Sequence, residues 1–145
     1  MSKLGRYSAD RKKVEVLTDD KIIAVSDCGT LFMLNNASGL SSIVLPSAAS
    51  AGNGWWCHFI VATDPGSNDY VIDTAASAAE IVGQGFFGLV NTDGGTDADS
   101  STATAKITFD GSAGTIASDK VELYCDGSKF YAYAFSADST SIVFA

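Results

Sequence analysis

Hydrophobic and polar residues alternate along most of this chain, the pattern of β-strands with one buried face. The clearest case is residues 121–135, where two β-rich runs flank Asp126-Gly127-Ser128, a sequence typical of a hairpin turn. The second run is apolar or aromatic on both faces, so one face can meet the core and the other a second sheet or chain. The residues of the first run that are predicted to face the core are Val121, Leu123 and Cys125.

A second strand with apolar residues on both faces is predicted over residues 55–63. One face carries Trp55, Cys57, Phe59 and Val61, and the other carries Trp56, His58, Ile60 and Ala62. Such a strand is either central in a sandwich or covered by a subunit contact. We therefore expect an aromatic surface that contacts another subunit, formed by Trp56, Tyr131, Tyr133 and Phe135.

Short strands and tight turns account for the chain after residue 13. The predicted strands cover residues 13–18, 21–25, 30–35, 42–45, 55–63, 70–73, 81–83, 86–90, 102–109, 121–125, 130–135 and 141–144. Residues 48–51 could form one helical turn, and residues 91–101 predict an extended loop. This pattern is typical of an all-β fold. We expect one domain over residues 14–145, an antiparallel β-sandwich or jelly-roll-like barrel, preceded by an extended arm over residues 1–13.

Charge separates the arm from the rest of the chain. The formal net charge is −8, but residues 1–13 hold five of the nine basic side chains and one acid, a charge of +4. The acidic remainder would repel phosphates, which argues against a nucleic-acid partner. A basic arm suggests docking on an acidic protein surface, such as a neighbouring copy, and the alternative is a tail without a partner. The expected contact residues are Lys3, Leu4, Arg6, Tyr7, Arg11, Lys12 and Lys13.

The cysteines and the apolar segments indicate the cellular setting. Cys28, Cys57 and Cys125 form an odd set without a Cys-x-x-Cys spacing, which argues against a disulfide framework and a zinc site. We expect buried, reduced thiols. No stretch has the length of a membrane span, and the N-terminus lacks the apolar run of a secretion signal. We therefore expect no membrane partner and folding in a cytoplasm.

No residue pattern indicates a catalytic centre. His58 is the single histidine and lies in an apolar strand without an adjacent serine or carboxylate, and Gly-x-Ser-x-Gly does not occur. Paired carboxylates of the glycosidase type stay open, because sequence spacing does not report distance. We expect a protein that is not an enzyme and has no cofactor.

Two binding sites are weaker alternatives. Asp93, Asp97 and Asp99 could offer oxygen ligands to Ca²⁺, but their spacing is not that of an EF-hand, and a solvated turn-rich loop explains them. No metal site is therefore predicted. Aromatic residues could also form a platform for stacking sugars, although packing in a core or an interface is commoner. Those residues are Trp55, Trp56, Tyr131 and Tyr133.

Four segments in a fixed order resemble a pattern in structural proteins of tailed bacteriophages. They are residues 25–34, 42–46, 54–61 and 120–131. Such β-modules occur in head decoration proteins, head fibres and tail-fibre domains. The N-terminal Gly5-Arg6-Tyr7-Ser8, with Arg11-Lys12-Lys13-Val14, is similar to the start of small head proteins of the decoration type.

The resemblance implies a decoration or cement protein that binds the outer surface of the capsid and stabilises it. The implied partner is the major capsid protein, and copies would form a trimer or another closed ring through the aromatic surface. The implied location is the virion surface, after assembly in the host cytoplasm. The alternative is a tail-fibre or head-fibre module that binds a host surface glycan or receptor. A small hydrolase acting on the host envelope would need a carboxylate pair in a cleft.

Overall fold

Twelve β-strands form two stacked sheets in the computed structural model, which describes residues 12–88, 96–100 (backbone only) and 103–145. The strands are β1 (Lys13–Leu17), β2 (Lys21–Ile22), β3 (Thr30–Leu34), β4 (Leu40–Val44), β5 (Asn53–Val61), β6 (Asp69–Asp73), β7 (Ile81–Gly88), β8 (Thr96–Ser100), β9 (Lys106–Asp110), β10 (Lys120–Asp126), β11 (Phe130–Ser136) and β12 (Ile142–Phe144). The helix α1 spans Ala48–Ala51, and 3₁₀ turns lie at Val25–Asp27 and Ala75–Ser77. The predicted all-β sandwich is confirmed.

The strand order shows a mixed architecture where an antiparallel one was expected. The seven-stranded sheet has the order β1-β3-β5-β10-β11-β7-β8, and the five-stranded sheet β12-β9-β6-β4-β2. Five of the ten pairings between described strands are parallel. The first six strands alternate between the sheets, so the chain winds like a flattened solenoid. Its turns differ in length, since Lys13 pairs with Thr30 but Thr30 pairs with Cys57.

The core lies between the sheets and is built from alternate strand residues. The hairpin of β10 and β11 is confirmed, and its inner face is buried as predicted. Phe32 and Phe59 stack with ring centroids 5.3 Å apart, and Trp55 meets Phe130 edge-on at 5.8 Å. Burial of apolar surface such as these rings stabilises the fold by about 25 cal/mol per Å² removed from water. The buried hairpin residues are Val121, Leu123, Cys125, Phe130, Ala132 and Ala134.

Strand β7 is continuous where two strands were predicted on either side of Gln84-Gly85. The sequence suggests a break because glycine normally weakens a strand. Here Gly83 allows close packing between the sheets, because a methyl group on it would overlap the ring of Phe144. The absent side chain is what allows that ring to lie against the strand.

Three further expectations need correction. Strand β2 ends at Ile22, before the 3₁₀ turn. Strand β8 occupies part of the region predicted as a loop, because pairing with β7 satisfies its backbone. Cys28 is exposed at the end of the 3₁₀ turn, whereas Cys57 and Cys125 are buried thiols as expected.

Ion pairs between charged side chains lie at the edge of the sandwich formed by β1 and β2. Lys13 Nζ lies 3.0 Å from Asp27 Oδ1, and Lys21 Nζ lies 2.8 Å from Glu15 Oε1 and 3.7 Å from Asp27 Oδ2. Inward-pointing charges on an edge strand discourage another strand from pairing with that edge. Association through the sheet faces is therefore easier than association through this edge.

Candidate functional site

The outer surface of the seven-stranded sheet is the candidate functional site, and we call it the aromatic face. Cross-strand register arranges its side chains in three rows. The first row is Trp56, Tyr124, Tyr131 and Val82; the second is Val14, Leu31, His58, Glu122, Tyr133 and Gln84; the third is Val16, Met33, Ile60, Lys120, Phe135 and Phe86. The structure thus brings together the four predicted contact residues Trp56, Tyr131, Tyr133 and Phe135 on one surface.

The rings of the aromatic face are accessible to solvent. Tyr124 and Tyr131 are each 40% exposed, and Tyr133 and Phe135 each 37%. Strands lie about 4.8 Å apart and rise about 3.3 Å per residue, so the surface from β1 to β7 measures about 24 by 16 Å, or about 400 Å². Monomeric proteins rarely expose contiguous apolar patches larger than a few hundred Å². The area includes the polar side chains of Glu122, Lys120 and Gln84, so the notable feature is the cluster of exposed rings rather than its size.

The opposite outer surface, on the five-stranded sheet, is more polar. Its central row is Val143, Thr108 and Val71. The flanking rows place Asp69 opposite Asp110 and Asp73 opposite Lys106. The two faces of the sandwich therefore differ in chemistry, and the aromatic one has the composition of an interface.

Contacts between the rings hold the aromatic face in a defined arrangement. Phe86 and Phe135 stack at 5.4 Å, and Tyr124 meets Tyr133 edge-on at 6.2 Å. The His58 ring lies 5.0 Å from Trp56 and 5.9 Å from Tyr124. Rings already fixed by their neighbours lose less rotamer freedom when a partner binds. The face is thus preorganised for binding.

A chain of hydrogen bonds crosses the centre of the aromatic face. Tyr124 Oη donates to Glu122 Oε2 at 3.2 Å, and Lys120 Nζ donates to Glu122 Oε1 at 3.1 Å. His58 Nε2 lies 3.3 Å from Tyr124 Oη. Because the hydroxyl proton goes to Glu122, the His58 nitrogen is the donor in that contact. The polar groups are thereby satisfied within the face.

Burial and neighbouring charges set the ionisation of this network. Burial lowers the pKa of His58 and outweighs the opposing charge of Glu122, while Lys12 and Lys120 lower it further. Burial would raise the pKa of Glu122, but the hydrogen bond and charge of Lys120 outweigh this and lower it. At neutral pH the face therefore presents a neutral imidazole beside a paired carboxylate.

Two lysines lie over rings of the aromatic face. Lys12 Nζ is 5.7 Å from the centroid of Trp56, and Lys120 Nζ is 4.6 Å from that of Phe135. Of the predicted arm contacts, Lys12 is therefore placed on this face, while Lys13 is the first residue of β1 and pairs with Asp27. The other predicted arm contacts lie outside the described residues, and they are Lys3, Leu4, Arg6, Tyr7 and Arg11.

Two aromatic members of the face were not among the predicted contacts. Tyr124 alternates with the predicted core residues of β10, and this alternation was the signal that could have assigned it to the outer face. Phe86 is not assigned to this face from the sequence, which predicts two separate strands, 81–83 and 86–90, where the structure has one. A continuous period-two pattern through Gly83 and Gly85 would have assigned Phe86 to the face opposite the core, whereas only the pairing of β7 with β11 places it beside Phe135.

A cleft of about 350 Å³ opens beside the stacked Phe86 and Phe135. Asp119 on its wall accepts hydrogen bonds from the Ile116 amide at 3.1 Å and Ser141 Oγ at 3.5 Å, so its carboxylate serves the local turn. Its lining residues are Phe86, Phe87, Ser118, Asp119, Phe135, Ser136 and Ala137.

The described residues offer no evident metal site. Among them, no group of three or more His, Cys, Asp or Glu side chains could hold a metal ion. Asp93 lies outside the described part of the chain, as do the side chains of Asp97 and Asp99. The Ca²⁺ alternative for that loop therefore stays untested.

Comparisons with protein-family models, with curated proteins and with solved structures found no significant match for this chain. Across the described residues, no helix has the length and apolar character needed to cross a membrane.

Proposed function

We propose that this protein is a bacteriophage virion structural protein that binds the outer capsid surface as a decoration or cement protein. The observation that carries the proposal is the exposed, preorganised aromatic face on one side of an otherwise ordinary β-sandwich. The sequence resemblance supplies the class of partner, the major capsid protein. The proposal requires neither a catalytic group nor a cofactor.

The aromatic face is smaller than a standard protein interface. A standard protein interface buries about 800 Å² on each partner. The face offers about 400 Å² on the strand spacings used above, so a second contact has to contribute. The basic residues 1–13 are suited to that role because they add cations and the apolar side chains of Leu4 and Tyr7.

Stabilisation of the shell follows from mass action. A ligand present at about 100 times its dissociation constant stabilises the state that it binds by about 2.7 kcal/mol. Copies that bridge neighbouring capsid subunits add contacts that expansion or rupture must break. Copies around a local symmetry axis would form a closed ring, and a trimer is our preferred arrangement.

Binding to emptied capsids tests the proposal. Tyr133→Lys places a charge at the centre of the aromatic face beside Glu122, at a side chain that is 37% exposed. We expect capsid affinity to fall at least about 30-fold, which corresponds to a hot-spot loss of about 2 kcal/mol. Thr108→Lys on the opposite face is the matched control and should bind normally. Equal occupancy of the capsids by both variants would contradict the proposal.

A second candidate is a tail-fibre or head-fibre module that binds a host surface glycan. It is favoured by the row Trp56, Tyr124 and Tyr131, beside which Asp126 Oδ2 accepts a hydrogen bond from Tyr131 Oη at 3.0 Å. Aromatic rings next to a carboxylate suit the apolar face and the hydroxyls of a sugar. Electron microscopy of virions carrying a labelled copy separates the two candidates by head or tail location.

A further inference from the structure

We propose that the aromatic face binds an acidic surface of its partner, one that presents a carboxylate beside an apolar side chain. The carboxylate pairs with Lys12 next to Trp56, and the apolar group packs on the exposed tyrosine rings. The charge of the face, the position of Lys12 and the existing partners of Glu122 all support this assignment.

The aromatic face is cationic although the protein as a whole is acidic, with a net charge of −8. Among the described residues of this face, Lys12 and Lys120 against Glu122 give a formal charge of +1. The paired charged residues on the opposite outer surface sum to −2, and they are Asp69, Asp73, Asp110 and Lys106. Salt screens charges beyond about 8 Å at physiological ionic strength, so an acidic partner responds to the face that it touches. It is attracted to the aromatic face and repelled by the opposite one.

Lys12 continues the first row of the aromatic face at its β1 edge. Lys13 pairs with Thr30, which places Lys12 beside Gly29. The Gly29 amide donates to the Trp56 carbonyl at 2.8 Å, and Gly29 has no side chain to stand between Lys12 and the indole. The exposed Lys12 therefore reaches over Trp56, with Nζ 5.7 Å from the ring centroid. In the part of the chain that the structure describes, Lys12 forms no ion pair with a carboxylate, so its charge can pair with that of a partner.

Glu122, the carboxylate within the rows of the aromatic face, already has partners. It accepts hydrogen bonds from Lys120 Nζ at 3.1 Å and from Tyr124 Oη at 3.2 Å. Lys120 Nζ also lies 4.6 Å from the centroid of Phe135. A cationic partner would have to compete with Lys120 for Glu122, whereas an anionic partner finds Lys12 without a carboxylate. The face is therefore suited to an anion.

His58 lies at the centre of the aromatic face and responds to both lysines. Burial is the largest cause that lowers the pKa of His58, and Glu122 opposes it. The charges of Lys12 and Lys120 lower this pKa further, so their positive potential reaches the middle of the face. An anion bound at Lys12 acts in the opposite direction and raises the pKa of His58. A neutral apolar ligand only buries the imidazole and lowers its pKa.

The inference rests on the proposed function, because it takes the aromatic face as the binding surface, and it adds the charge of the partner. The same chemistry separates the two candidate functions, since a neutral glycan offers no carboxylate to Lys12. The test uses the isolated chain and small molecules, so its failure and the failure of capsid binding are distinguishable.

Three naphthalene derivatives of similar shape test the charge preference of the aromatic face. Naphthalenesulfonate is an anion, naphthalenesulfonamide is neutral and naphthylmethylammonium is a cation. His58 is the single histidine, so its ring proton signal in NMR spectra follows the binding of each compound without overlap from another histidine. We expect the anion to bind at least about 3-fold more tightly than the neutral compound, and the cation to bind most weakly. The anion should raise the pKa of His58, and the neutral compound should lower it.

Substitution of exposed lysines assigns the preference to Lys12. Lys12→Gln should abolish the difference between the anion and the neutral compound, and Lys12→Arg should retain it. Lys106→Gln on the opposite surface changes the net charge by the same amount and should behave as the wild type. Equal affinity for the anion and the neutral compound would overturn the proposal, as would a preference that persists in Lys12→Gln. A His58 signal that naphthalenesulfonate leaves unperturbed would also overturn it.

Discussion

Tyr70 illustrates how one buried hydroxyl connects two loops of this protein. Its side chain is fully buried, and its Oη accepts a hydrogen bond from the Asn36 amide at 3.0 Å. The same hydroxyl lies 2.8 Å from the Asn36 carbonyl oxygen and 2.7 Å from the Thr63 carbonyl oxygen. It has one proton, so it donates to one of these two carbonyls at a time. Burial raises the pKa of Tyr70, so the group stays neutral. The loops that follow β3 and β5 are thereby held together.

Tyr70→Phe should therefore destabilise the fold without changing its apolar packing. It leaves a main-chain amide and two carbonyls without this partner, which costs about 1–3 kcal/mol of unfolding free energy. Urea denaturation measures the loss. Tyr133→Phe is the matched control because Tyr133 is partly exposed, and it should cost less than about 0.5 kcal/mol. Equal losses in the two variants would rule out the role given to the Tyr70 hydroxyl.

At the scale of elements, the charged end of β1 and β2 depends on Asp27. Its carboxylate accepts hydrogen bonds from the Ala24 amide and from Lys13 Nζ, both at 3.0 Å. Burial would raise the pKa of Asp27, but the Ala24 amide and the two lysines outweigh burial and lower it. The hydrogen bond to Glu15 outweighs burial at Lys21 and raises its pKa. The lowered pKa of Asp27 and the raised pKa of Lys21 both favour the charged forms that make the ion pairs at this edge.

Asp27→Asn should remove a pH-dependent part of the stability. The pKa of Asp27 is lower in the folded chain than the value of about 3.9 expected after unfolding. The contribution of the Asp27 carboxylate to the free energy of unfolding is therefore fully present above about pH 4, and it is lost as pH falls through the folded-state pKa. At pH 7 the variant should lose about 1–3 kcal/mol, and its urea midpoint should vary less between pH 7 and acid. Asp19→Asn, an exposed control, should leave the urea midpoint at pH 7 close to that of the wild type.

At the scale of the whole molecule, the last strand joins the two sheets. Phe144 of β12 lies against Gly83 of β7, so the C-terminal strand of the five-stranded sheet packs under the seven-stranded one. The Ala145 amide donates to the Lys106 carbonyl at 3.0 Å and secures β12 beside β9. Strands β7 and β12, toward the end of the sandwich opposite β1 and β2, are thus held together by the contact of the Phe144 ring with the Gly83 backbone.

Gly83→Ala should destabilise this junction through steric overlap with Phe144. Overpacking of this kind typically costs about 1–3 kcal/mol. Phe144→Ala removes the ring and should relieve the overlap, so the double variant should be more stable than the sum of the two losses predicts. The coupling free energy from the four unfolding curves should exceed about 0.5 kcal/mol. Additive losses would show that the ring can move aside freely.

The sequence by itself determined most of the strands, their faces and the hairpin of β10 and β11, but it predicted β7 as two strands and β8 as a loop. Alternation has a period of two residues, so Tyr131, Tyr133 and Phe135 had to share a face opposite the core, and Trp56 had to oppose Trp55. These are local properties of the backbone. For the same reason the pattern predicted four members of the aromatic face before their neighbours were known.

Beyond that hairpin, only the tertiary structure decided which strands are neighbours. Parallel pairing of β1, β3 and β5 depends on contacts between residues far apart in sequence, and no local pattern specifies it. The same holds for Phe86, which meets Phe135 because β7 pairs with β11, and for Lys12, which reaches Trp56 across Gly29. Alternation assigns a residue to a face, but strand order decides what that face contains, because each row of the sheet is assembled from separate parts of the chain.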